Sequence, residues 1–156
     1  MANILPKDEE LFAQIEKEQI KVHPALWTVI YHYIGDCIIA INLLLRYYID
    51  NNIPAPKEQI KRILPYTERM LKIIKKLDNH SLIEDSDPDS LFQTIKKENL
   101  KLDKVTDELF TNYVRNDIYM INLMVGDFID PLETREALPV EDLQRIRGHV
   151  TSSMQF

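Results

Sequence analysis

The two stretches YIGDCIIAINLLLRYYID (residues 33–50) and YVRNDIYMINLMVGDFID (113–130) decide the fold. They agree at 7 of 18 positions at an offset of 80. Each carries an apolar stripe at helical spacing: Ile34, Ile38, Ile41, Leu45 and Tyr48 in the first, Val114, Ile118, Ile121, Val125 and Phe128 in the second. Steps of four and three residues hold side chains on one face of an α-helix, and this rhythm is that of a bundle core seam.

Further matches lie on either side. LFAQIEKEQIKV (11–22) aligns with LFQTIKKENLKL (91–102) at the same offset, with 6 of 12 identities. With three extra residues, PKEQIKRI (56–63) aligns with PVEDLQRI (139–146), with 4 of 8. The total of 17 in 38 stands against roughly one in fifteen for unrelated segments of ordinary composition. The chain therefore reads as all-α, a six-helix bundle made of two copies of a three-helix unit. The expected organisation is a single domain over residues 1–156, with repeat one at about 8–78, a linker at 79–89 and repeat two at about 89–153. A repeat of this kind generally cannot bury its apolar face alone.

Within each copy the first helix is expected over 8–22 and 89–102, and the long second helix over 24–50 and 104–130. Pro24 suits a first helical position, Asp103 an N-cap, and Asp87-Pro88 a helix start. The third helix follows Pro56 and Pro139, with Glu58 and Glu141 in the first turn, where the helix dipole favours them. A kink is expected at Pro65. The linker NHSLIEDSDPD is polar and turn-rich, and is expected to be the most mobile internal segment.

Three glycines in 156 residues leave little material for hairpins or phosphate loops. The single cysteine, Cys37, can close no intramolecular disulfide, which points to a reducing compartment and a cytoplasmic location. No signal peptide is visible. The most apolar run, Cys37 to Leu45, is shorter than the roughly 20 residues a membrane span needs. A net charge of −6 argues against a general nucleic-acid binder. Residues 1–80 carry 11 basic and 10 acidic side chains and residues 81–156 carry 8 and 15, so the halves differ in charge.

Candidate sites are few. Asn42 and Asn122 recur beside the seam, either as a ligand-binding pair facing each other across a pseudo-twofold axis or as buried residues fixing helix register, the favoured reading. Glu18 and Glu98 lie along the apolar face of the first helix, and are read as paired structural carboxylates ahead of acid–base groups, with ligand binding as the speculative role. His32 and Asp36 share a helix face and supply two candidate metal ligands. Copy two has Asn112 and Asn116 there, which does not support a duplicated site. Lys61, Arg69, Lys72 and Lys76 form a cationic side of the third helix that suits an acidic partner or a solvated face. Trp27, Tyr31, Tyr47 and Tyr48 are expected in the core.

No nucleotide loop, CxxC or HExxH motif occurs. The residues shared between copies all have structural explanations. The sequence points away from an enzyme and a cofactor, with a metal ion as the minor alternative. It points toward a non-catalytic interaction or regulatory module that pairs with a protein partner or with itself as a homodimer, with no membrane or nucleic-acid partner. The other reading is a small-ligand or metal sensor with its pocket between the long helices.

Overall fold

The computed structural model describes residues 6–18 and 21–155, with the side chains of residues 6–8, 16 and 18 outside the description. The chain is all-α. Helix α1 is Pro6–Glu18, α2 is Pro24–Asp50, α3 covers 57–78, α4 is Ser90–Lys97, α5 covers 104–129 and α6 is Val140–Ser153. Two short strands, β1 (Ala55–Pro56) and β2 (Ala137–Leu138), pair antiparallel just ahead of α3 and α6.

Local sequence explains the ends. His23 caps α2 by accepting from the Ala25 amide through Nδ1 at 3.1 Å, with Pro24 first in the helix. Asp103 caps α5 by accepting from the Thr106 amide at 3.0 Å. Helices α2 and α4 both close on an asparagine in the left-handed region, Asn52 at φ 52° and Asn99 at φ 51°. Each closure has the paired bonds of a Schellman motif: Ile53 N–H to the Tyr48 carbonyl and Asn52 N–H to Ile49, then Leu100 N–H to Ile95 and Asn99 N–H to Lys96. Helix α4 therefore stops at Lys97, five residues short of the expected end. Helix α5 ends differently, because Pro131 pushes Asp130 out of the helical region, to ψ 136°.

Two features of the helices escaped the sequence pattern. Helix α2 contains a π-segment at Val29–Ile34 and α5 one at Thr111–Arg115, each taking an extra residue into its turn. In α3 a 3₁₀ turn at Lys61–Ile63 precedes Pro65, whose missing N–H breaks the regular ladder where a kink was expected.

The packing runs across the halves. Helix α6 packs on both α2 and α5, and α3 packs on both α5 and α2. The long helices α2 and α5 thus lie opposite one another with α3 and α6 between them, instead of side by side at the centre as their seams suggested. The short helices cross over as well: α1 packs on the start of α5, and α4 on the start of α2. The expected seam is the core: Ile34, Ile38, Ile41 and Leu45 are buried, as are Val114, Ile118, Ile121, Val125 and Phe128, and Tyr48 packs against them half-buried. From α3 and α6 come Ile60, Ile63, Met70, Leu143, Ile146 and Val150.

By length and composition α2 is the one described helix apolar enough to cross a membrane. Residues 24–35 extend the apolar run beyond Cys37–Leu45, since none of them is Asp, Glu, Lys or Arg. One face of α2 is nevertheless committed to α3 and α6.

Ile41 and Ile121 are both fully buried. Replacing either by alanine leaves a cavity and is expected to cost about 2–5 kcal/mol in urea denaturation. The two substitutions should weaken the fold to a similar degree if the core is shared as the packing indicates.

Candidate interaction surface

The side of α2 turned away from α3 and α6 is apolar and open to solvent. Trp27, Tyr31, Ile39, Leu43 and Tyr47 are 42%, 59%, 50%, 59% and 61% exposed. These aromatics were expected in the core, and the structure corrects this for three of four: only Tyr48 turns inward. The reason is that α2 has apolar residues on two faces, and α3 and α6 cover one of them. Trp27 stacks on Tyr31 at 5.4 Å, and Tyr47 meets Tyr48 edge-on at 5.1 Å, so the exposed rings are ordered against neighbours.

Down the middle of this face run His32, Asp36, Ile39, Leu43, Arg46 and Asp50, at alternating steps of four and three. All are exposed. Arg46 Nε lies 3.3 Å from the Asp50 carboxylate, one turn on. At the edge of this face, where α2 meets the end of α6, an apolar notch of 230 Å³ is lined by Gly35, Trp27, Tyr31, Ile39, Ser153 and Met154 among others. On α5 a smaller exposed apolar group consists of Tyr119, Met120 and Leu123.

The other candidate residues scatter. Asn122 accepts a 2.8 Å hydrogen bond from the Thr67 hydroxyl of α3, which itself is fully buried. It faces α3 and not Asn42, which lies half-buried on α2. The repeat offset carries Thr67 onto Val150, which has no hydroxyl to offer Asn42. Glu98 is exposed at the C-cap of α4, beyond the buried face where it was expected, because the helix ends at Lys97. Glu18 ends α1, and its side chain lies outside the described residues.

His32 and Asp36 share an exposed hollow with Tyr66, Cys37 and Arg69. Cys37 is buried there, no group of three His, Cys, Asp or Glu placed to hold a metal ion occurs among the described residues, and the Arg69 cation opposes one. Burial pushes the Cys37 thiol up, away from the reactive thiolate.

The cationic side of α3 is divided. Lys61 pairs with Glu58 at 3.4 Å in solvent, and Arg69 and Lys72 are exposed. Lys76 is drawn inward, with Nζ 2.9 Å from the Asp87 carboxylate and 4.9 Å from the centre of the Phe92 ring, so it is not part of a free docking face. That contact also fastens the linker. Gln93 Nε2 donates to the carbonyls of Glu84, Asp85 and Asp87, and Lys96 Nζ donates to that of Ile83 at 2.6 Å. The expected mobile segment is instead tied to α3 and α4.

Sequence reading also missed a titratable pair between α5 and α6. Asp117 of α5 is buried and lies 2.9 Å from His149 Nδ1 of α6. Nothing local signals it, because the partners are 32 residues apart and the first copy has Cys37 and Tyr66 at the matching positions. No protein-family model, curated protein or solved structure matches the chain.

The Lys76 ammonium and the Asp89 amide hold the Asp87 carboxyl below the usual carboxylate range. A lowered value means stability that is full above pH about 4 and is lost as pH falls through the folded-state value. The Tyr33 hydroxyl donates to Asp89 at 2.6 Å, which with burial raises its pKa. That contribution is full below pH about 10 and is lost as pH rises through the raised value. Asp87→Asn is therefore expected to cost about 1–2 kcal/mol at neutral pH and to flatten the acid limb of stability against pH. Tyr33→Phe should flatten the alkaline limb alone. Denaturation midpoints from pH 2 to 11 check both.

Proposed function

We propose that the protein is a non-catalytic helical interaction module that self-associates through the outer face of α2. One observation carries the reading: five large apolar side chains, Trp27, Tyr31, Ile39, Leu43 and Tyr47, stand exposed on a single helix whose opposite face is core. Exposed apolar residues scattered singly need no explanation, but a contiguous band rimmed by charge is the mark of a binding surface. Aromatic rings at its centre are the usual anchors of protein–protein contact. A reducing, cytoplasmic setting fits the buried lone Cys37.

The same proposal takes the chain to be a duplicated three-helix unit. Support comes from the 17 identities in 38 aligned positions and from the recurring order of short helix, long helix, short strand and third helix. Both long helices carry a π-segment near the same point, and β1 pairs with its counterpart β2. The third helix of each half also packs on the long helix of the other.

Sedimentation velocity of the intact protein at micromolar concentration is expected to give a dimer. Leu43→Glu, in the middle of the exposed band, should convert it to a monomer. Its unfolding midpoint extrapolated to low protein concentration should be unchanged, because Leu43 makes no part of the core. A native protein that stays monomeric throughout would remove the proposal.

A further inference from the structure

We infer that the partner on this face is a second copy of the chain, and that the two α2 helices pair antiparallel about a twofold axis passing beside Ile41. This rests on the self-association proposed above and adds its geometry.

Beyond the π-segment, the central line Asp36, Ile39, Leu43, Arg46, Asp50 has the alternating spacing of a coiled-coil seam. A twofold axis makes an isologous contact, in which residue i meets j and j meets i. Turned end for end about Ile41, the line from Asp36 to Arg46 maps onto itself with complementary residues opposed. Ile39 meets Leu43 of the second copy, and Asp36 meets Arg46. Each pair occurs twice by symmetry. In seam terms every pair joins the two alternating classes of position, as antiparallel helices require. A parallel pairing would set Asp36 against Asp36 and Arg46 against Arg46, placing like charges together.

The flanking residues agree in shape. Gly35 falls opposite Tyr47, so the apolar notch at Gly35 receives the most exposed ring on α2. Trp27 and Tyr31 reach the Asn51–Ile53 turn of the second copy, where Ile53 is 38% exposed. Arg46 already leans on Asp50 of its own chain, so Asp36 of the second copy would complete a carboxylate–guanidinium–carboxylate cluster.

The exposed group on α5 fits this role less well. At the positions matching Asp36 and Arg46 it has Asn116 and Gly126, which carry no charge. At the position matching Gly35 stands Arg115, whose guanidinium pairs with Asp78 and Asp107 and covers the Phe110 ring at 4.8 Å. The Arg115 side chain occupies the position that Gly35 leaves bare on α2.

The test uses two full-length single variants, Asp36→Arg and Arg46→Asp, measured separately and mixed. Each alone sets two like-charge pairs across the axis, and its dimer dissociation constant is expected to rise about tenfold or more over the native protein. An equimolar mixture restores both opposite-charge pairs in a 1:1 heterodimer. Its affinity should return to within about threefold of the native dimer. Circular dichroism of each variant confirms that its helices are intact. If both single variants remain as dimeric as the native protein, or if mixing restores nothing, the antiparallel pairing is overturned while self-association stands. A native protein that is monomeric overturns both. Head-to-tail contact between α2 and α5 would appear as open-ended oligomers instead of a dimer and also overturns the pairing.

Discussion

The structure depends on the insertion of α3 and α6 between the long helices. Each long helix carries a full apolar seam, and burying one Ile, Leu or Val side chain is worth about 1.5–3 kcal/mol. A lone three-helix unit has only one third helix to set against that seam. Here each seam meets two, one from its own half and one from the other. The core therefore has no boundary at the linker, and Ile41 of one half and Ile146 of the other belong to the same buried cluster.

Polar contacts reinforce this exchange. Thr67 of α3 reaches Asn122 of α5, Lys57 Nζ donates to the Glu133 carbonyl at 2.9 Å, and Arg115 ties α5 to the end of α3 through Asp78. All three bonds join first-half residues to second-half residues. None is a strong source of net stability alone, since each replaces bonds to water. They act on specificity: a shifted α3 would take the Thr67 hydroxyl away from Asn122 at the edge of the core, while Thr67 keeps the Leu64 carbonyl of its own helix.

How much of this was legible follows from the range of each interaction. Most helices and caps were readable because a seam, a proline or an Asp N-cap acts over one or two turns; Pro24, Asp103 and the stripe from Ile34 to Leu45 stand where the pattern puts them, whereas α4 is capped by Asp89, which accepts from the Leu91 amide, and not by the expected Asp87 ahead of Pro88. The early end of α4 was not readable, because Asn99 is an ordinary helix residue until its φ is known. The pairing of Lys76 with Asp87 and of Asp117 with His149 required the fold itself. The misplacement of Trp27, Tyr31 and Tyr47 is of another kind. Hydrophobicity says that a side chain prefers to leave water, and is silent on whether its own chain supplies the cover. Helix α2 has more apolar circumference than two neighbours can shield, and that excess becomes visible only when the neighbours are counted.

The two outer faces differ in a way that the inner faces do not. Along the seam, aligned positions keep their character: Ile38 with Ile118, Ile41 with Ile121, Leu45 with Val125. On the outside the aligned pairs are Gly35 with Arg115, Asp36 with Asn116 and Arg46 with Gly126. On the duplication reading, the seam was held because both copies share one core, whereas the outer faces were free to diverge. Divergence has a physical consequence here. A monomer with two equivalent sticky faces, related by a pseudo-twofold axis, would link into chains without limit. On the proposed pairing, Arg115 in place of Gly35 and the loss of the flanking charges on α5 would leave one self-complementary face, and a single such face closes into a pair.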